Sequence, residues 1–368
     1  MRNYIPFLKL KGSELSALKA MHKTHPNFEP FPFFDFPRKK PKKSRKKDAP
    51  QSKSKADLFS DDLKRLHRKF ELNIKYIKEF YLDNFDIEDG ILHNGQYNYY
   101  SIIKTFGPLG MVPVVGLDRH ADHIVSIKAG LNGNLLSSNR VAIRLTQDDF
   151  ESFSLCKKDL IELLNEIYFD FEKIDLILDC RFCKEKSSSI IYPLLINFLV
   201  SLSKEPYKFS RVIVTGSSVP ASISEVILPR TERAIFREEL LIYNGVANQN
   251  GGDIKFDLYF GDYTCVSPEY SDIELFDEDM DNVTTAKLIY PYDDELLLIR
   301  GGRFKTDRGQ IKDLANKLII RTRIYRGDKY STGDKYIYEK ANGIGRPATA
   351  ASIVPHLVNL HLIYMFNK

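Results

Sequence analysis

Eight short runs rich in β-branched and aromatic residues recur along the chain, separated by stretches able to form helices, and this alternation restricts the fold more than any other feature. The runs are YIPFLKL (4–10), FPFFDF (31–36), FYLDNF (80–85), VPVVGL (112–117), VAIRL (141–145), LILD (176–179), VIVT (212–215) and FDLYF (256–260). Several are apolar throughout, as strands covered on both faces must be, and strand–helix alternation is the pattern of parallel βαβ construction. Helices are expected over 13–21, 56–78, 148–168 and 189–203. Ser13 can cap the first, and Thr146 with Asp148 and Asp149 the third, because their side-chain oxygens accept orphan amide hydrogens. The eight units predict an α/β fold, a (β/α)8 TIM-barrel-like domain over residues 1–265. An open doubly wound sheet is the alternative, because the third run is a poor strand and the helix after 112–117 is hard to place.

The pattern changes after position 260. The acidic stretch SDIELFDEDMD (271–281) reads as a solvated loop. A hairpin-like pair follows at 286–290 and 296–299, then helices over 308–323 and 350–366. Residues 266–368 are therefore expected to be a C-terminal α+β extension that packs on the barrel.

Charge is concentrated rather than spread. The chain carries +5 in all. Residues 38–55, from Arg38 through Lys55, hold ten Lys or Arg against one Asp, a local +9; the other 350 residues carry the difference, −4. A mildly acidic body with one basic insert is not a basic binding face. The insert buries too little apolar surface to order itself. Its two readings are a solvated loop and a tether for nucleic acid or an acidic partner.

Four cysteines, Cys156, Cys180, Cys183 and Cys265, are too few for a disulfide-stapled secreted framework, and a reducing cytoplasm is expected. No run approaches the roughly 18 apolar residues of a membrane span, and the opening residues lack the apolar core of a signal peptide. No membrane association is expected.

Barrels place chemistry where strands end, and here those positions are charged. Lys9 and Lys11 close the first strand with Glu14 just into the helix, and Asp35 lies in the second. Asp118 and Arg119 follow the fourth, Arg144 ends the fifth, Asp179 and Arg181 end the sixth, Ser217 and Ser218 follow the seventh, and Asp262 follows the eighth. Closure would gather them at one mouth. Cations such as Lys9, Arg144 and Arg181 would hold a phosphate or carboxylate, and Asp179 and Asp262 are the candidate catalytic pair, as general base or as ligands of a divalent cation. The bland reading is a buried ion network holding the mouth together. The turns Thr215-Gly216-Ser217-Ser218 and Phe260-Gly261-Asp262-Tyr263-Thr264 stand where barrels often build phosphate sites from backbone amides.

Other motifs carry less. Cys180 and Cys183 form one CxxC with no second pair and no nearby His, so structural thiols are expected. His120 and His123 lie three apart beside Asp118 and Asp122 and read as a polar loop rather than a metal site. No P-loop, GxGxxG, HExxH, GxSxG or kinase signature is present, which removes the familiar nucleotide-hydrolysing, dinucleotide-binding, zincin and α/β-hydrolase classes.

The opening YIPFLKLKGSELSAL (4–18), VPVVGLD (112–118), Gly261-Asp262-Tyr263 and Tyr330-Ser331-Thr332-Gly333-Asp334 together resemble the beta-protein family, named after a bacteriophage protein. Family members carry a Trp after the last of these segments, and this chain has none. The resemblance implies a role in phage–host conflict, in phages or defence-associated loci, and adds Asp334 to the candidate ligand-binding residues; it supplies no catalytic group. Two functions are thus expected: a component of a phage-defence or toxin–antitoxin-like module whose mouth binds a nucleotide or nucleic-acid end, or a non-catalytic scaffold for a co-encoded protein partner.

Overall fold

The computed structural model describes all residues except 2, 40, 42–52, 253, 271–283, 305 and 308. Most of the basic insert and the acidic stretch at 271–281 thus lie outside the described residues. Eight parallel strands close a barrel in chain order: β1 (Tyr4–Lys9), β2 (Phe33–Asp35), β3 (Phe80–Asp83), β4 (Met111–Val115), β5 (Arg140–Thr146), β6 (Lys173–Phe182), β7 (Arg211–Ser217) and β8 (Leu258–Asp262). Tyr4 of β1 pairs with Phe260 of β8, and that ladder excludes the open sheet. The fold is a (β/α)8 TIM-barrel-like α/β fold.

Strand side chains alternate between lumen and shell, so each apolar run serves two cores at once. Ile5, Phe7, Phe33, Tyr81, Val112, Val114, Ala142, Ile177, Ile213 and Tyr263 fill the lumen, where Phe7 and Phe33 stack at 4.4 Å. Their neighbours in sequence, such as Leu8, Phe34, Leu82 and Phe260, point outward into the larger core beneath the helices. That double burial is why the strands read as nearly unbroken apolar runs.

The helices that follow β1 to β7 in turn are Gly12–Thr24, Lys55–Ile74, Asn98–Phe106, Ala121–Asn132, Phe153–Ile167, Ser188–Leu202 and Glu238–Gln249. Ala350–Asn367 completes the ring by packing on Gly12–Thr24. Ser54 caps the second by accepting the Asp57 amide. The helix that was hard to place after β4 is Ala121–Asn132, started by the His120 side chain. The single helix expected over 148–168 is two: the turn Gln147–Phe150, held by a Thr146–Asp149 capping box, and Phe153–Ile167. Ahead of β4, Gly110 adopts φ +93°, and a Cβ there would lie 1.9 Å from the Lys78 carbonyl oxygen, so only glycine fits.

The expected hairpin forms as Thr285–Tyr292 and Glu295–Arg303, and it gains a third antiparallel strand, Glu232–Phe236, from between β7 and its helix. No helix of the described residues is long and apolar enough to cross a membrane.

Candidate ion-layered barrel mouth

Five strands end in inward-facing ionic side chains. Arg144, on β5, is enclosed, and each of its N–H groups is used. Nη1 donates to Asp35 of β2 and Asp83 of β3, both at 2.8 Å; Nε and Nη2 donate to Asp179 of β6 at 3.0 and 2.6 Å; Nη2 also donates to the Tyr263 hydroxyl at 2.7 Å. The Tyr263 hydroxyl in turn donates to Asp179 at 2.6 Å. Burial opposes the charge of Arg144, but Asp35, Tyr263, Asp179 and Asp83 outweigh it and raise its pKa. Burial likewise disfavours ionised Asp83, yet Arg119 and Arg144 hold its carboxyl below the usual range. One guanidinium thus cross-links four strands and the residue after a fifth; each of its N–H groups finds an acceptor, which makes the charge tolerable at this depth, while among the described residues Asp35 Oδ2 and Asp83 Oδ1 are buried without a hydrogen-bond partner.

Above this layer the cations are less committed. The Phe85 ring has the guanidinium carbons of Arg119, Arg144 and Arg181 at 4.8, 4.6 and 4.6 Å from its centre. Lys9 Nζ and Arg181 Nη2 each donate to the Pro268 carbonyl oxygen at 3.1 Å. The Tyr270 ring covers Lys9 at 3.3 Å, with Arg38 at 4.9 Å and Lys11 at 5.3 Å. Asp86 stands 3.8 Å from Lys9. Burial, then the charge of Asp35, pushes Asp86 up to about 6, and burial lowers Lys9 to about 8 despite Asp86. Among the described residues, Arg119 Nε, Arg181 Nη1 and Asp86 Oδ2 are buried without a hydrogen-bond partner. The rim therefore holds two donors and one carboxylate oxygen that the described residues leave without a hydrogen bond.

The sequence profile of the beta protein family matches residues 4–367. The chain belongs to that family. Among solved structures, this beta protein family member is similar to the biosynthetic arginine decarboxylase SpeA from Campylobacter jejuni, with a TM-score of 0.39 and 12% identity over 98% of this chain and 56% of that one. The chain thus spans little more than half the length of that enzyme. A search of curated proteins found no match.

Of the expected site residues of this beta protein family member, Lys9, Lys11, Arg144, Asp179 and Arg181 meet at the mouth. Asp262 does not. Gly261 and Tyr263 take the lumen side, so alternation turns Asp262 outward, where it accepts from Tyr4 (2.8 Å), Arg237 (2.5 Å) and the Thr264 amide (3.0 Å) and pairs with His361 (2.8 Å). Asp179 and Asp262 therefore sit on opposite faces of the barrel wall and cannot share a metal or a proton. Among the described residues no group of three or more His, Cys, Asp or Glu could hold a metal.

The remaining candidates serve local structure. Glu14 is buried and accepts the Ser13 hydroxyl at 2.5 Å, and burial raises its pKa. Asp118 is half-exposed beside Arg119 at 3.6 Å. Ser217 donates to the Val266 carbonyl, while Ser218 donates to Glu239 and accepts the Glu238 amide, fastening the next helix. Asp334 lies at the start of the helix Thr332–Ala341, accepting from Tyr290 and Ser331 at 2.6 and 2.5 Å. Cys180 and Cys183 are buried free thiols. The pair His120 and His123 is not a polar loop: His120 caps a helix, whereas His123 is buried, bonded to Asn84 at 2.9 Å and stacked on Tyr99.

Asp83, Phe85 and Asp86 are not legible as site residues in the sequence, because the weak third run offers no firm strand end. Its Asp83 stands where Asp35 and Asp179 stand in theirs, and that alignment was the available signal. Tyr270 and Pro268 follow the last strand and carry none.

Proposed function

We propose that this protein is a component of a phage-defence or toxin–antitoxin-like module, acting in the cytoplasm, whose barrel mouth binds a phosphate-containing ligand such as a nucleotide or a nucleic-acid end. The observation that carries the reading is the convergence of Lys9 and Arg181 on one oxygen, the Pro268 carbonyl, which stands in for an anionic oxygen of the ligand. Displacing that carbonyl by a phosphate would give both cations charge-assisted bonds and engage the unused Arg181 nitrogen. Lys11 and Arg119 flank the same opening. Arg38, where the basic insert starts, stacks on Tyr270 at the rim, which favours a nucleic-acid end over a free metabolite. Membership of the beta protein family supports the biological setting, and four buried free thiols support a reducing compartment.

Isothermal titration with inorganic phosphate, a nucleoside triphosphate and a 5′-phosphorylated oligonucleotide tests the site. Arg181→Gln should weaken phosphate-bearing ligands about 10- to 100-fold with the melting temperature kept, the scale of a lost charge-assisted pair. Equal binding by the variant would remove the proposal.

A second reading is a scaffold for a co-encoded protein. It is favoured by Arg144, whose donors are all spent on closing the barrel. In that case Arg181→Gln would leave protection against phage infection intact in cells expressing the protein, whereas an anion-dependent effector would lose it.

A further inference from the structure

The opposite end of the barrel carries a second ionic layer with a surplus cation. Arg140 Nη1 donates to both oxygens of Asp175, at 2.6 and 2.7 Å, and Tyr81 donates to the same carboxylate at 2.5 Å. Both Asp175 oxygens thus have hydrogen-bond partners, and the carboxylate also attracts Arg211 through space. Arg211, the first residue of β7, reaches this group only through one bond to the Tyr81 hydroxyl at 3.3 Å, and among the described residues it forms no ion pair. Its guanidinium instead lies between two rings, 4.4 Å from the centre of Phe31 and 5.2 Å from that of Tyr259.

This cation opens into a cleft of about 460 Å³ lined by Phe28, Phe31, Tyr76, Tyr259, Phe366 and His22, among others. The volume falls in the range of small-molecule sites, and aromatic walls with a few polar or charged groups are their usual composition; here Lys78 borders the cleft as a second cation beside Arg211. His22 stacks on Tyr76 at 3.7 Å, and its Nδ1 is buried without a hydrogen-bond partner. Glu29 and Glu79 also border the cleft; Glu79 accepts the Ser138 hydroxyl at 2.5 Å, and Glu29 is exposed.

The geometry points to a second ligand site at the N-terminal face of the barrel, for a small molecule that joins a flat aromatic ring to one oxyanion. The ring would lie among the aromatic walls while Arg211, pre-aligned by its two stacks, offers its fork of N–H groups to a carboxylate or phosphate. An isolated phosphate would forgo the walls, and a neutral ring would forgo the cation. The inference does not depend on the mouth: it uses none of the residues there.

Calorimetry with an aromatic carboxylate, a nucleoside monophosphate, inorganic phosphate and a neutral phenol separates these chemistries. Measured in the Arg181→Gln background, which removes the mouth's own affinity for phosphate-bearing ligands, saturable binding of either ring-bearing anion, weakened about 10- to 100-fold when Arg211→Met is added, is the expected result. A carboxylate preference or a phosphate preference then names the oxyanion. If neither ring-bearing anion binds, or inorganic phosphate or the phenol binds as well as they do, the inference fails. Should Arg211→Met not fold, the wild-type protein still decides: an arginine-selective dicarbonyl reagent should modify Arg211, read by peptide mass spectrometry, and the bound ring-bearing anion should protect it. Unprotected modification at saturating ligand overturns the site.

Discussion

Arg144 grips the Asp179 carboxylate through both Nε and Nη2, so one oxygen on β6 holds two nitrogens from β5. Removing the guanidinium would leave Asp35, Asp83 and Asp179 facing one another in a buried space. Arg144→Met should therefore cost about 3–5 kcal/mol, the usual penalty for stranding buried charge, as measured by urea unfolding. Combining it with Asp35→Asn, Asp83→Asn and Asp179→Asn should recover part of the loss. An unaffected single variant would mean the layer contributes nothing to closure.

Asp262 predicts the opposite division of effects. Asp262→Asn deprives buried Arg237 and His361 of their shared carboxylate, although Glu239 still pairs with Arg237. Stability should fall by about 2–4 kcal/mol, and anion binding at the mouth should be unchanged, because the side chain lies outside the barrel wall. A binding defect without a stability defect would contradict the placement.

Anion binding at the mouth should follow two titrations. Lys9, lowered to about 8, loses its charge as the pH rises through that value, and Asp86, raised to about 6, gains its charge above that value. Affinity for sulfate, whose own charge is constant over the range, should be strongest below pH 6, intermediate between 6 and 8, and weakest above 8. Lys9→Gln should flatten the upper limb and Asp86→Asn the lower; calorimetry at a series of pH values reads both.

His123 links the fold to acid. Burial lowers its pKa to about 3, against about 6.5 for an unfolded histidine. Between those values the unfolded chain binds a proton that the folded chain refuses, so stability rises with pH across the window and is lost as pH falls below about 6.5, with a limiting slope of about 1.4 kcal/mol per pH unit. His123→Gln, which can still bond Asn84, should flatten that slope in urea melts at pH 4 to 7. An unchanged slope would show that His123 does not refuse the proton.

Much of the architecture was readable because the lumen and the shell each demand apolar side chains, which leaves strands such as VAIRL and VIVT unmistakable. Short or mixed elements were not: Ala121–Asn132 begins in DRHADH, whose polarity masks a helix with His123 on its buried side, and Glu232–Phe236 is charged and largely exposed, so it resembles a loop until its partner Glu295–Arg303 is known. At the mouth, strand-end position located Lys9, Arg144, Asp179 and Arg181, but the parity of a single residue decides which face a side chain takes. A strand end known only to within one or two residues therefore could not tell Asp262 from Tyr263. Asp334 entered through family likeness, and its surroundings show a helix start rather than a binding surface.

The lumen's ten packed apolar side chains lie between Arg144 with its carboxylates at one end and Arg140, Asp175 and Arg211 at the other. Among the described residues these side chains pack against one another across the axis, so the barrel interior joins neither opening to the other. The two openings are insulated compartments, and a molecule held in one would alter occupancy of its counterpart only by deforming the wall.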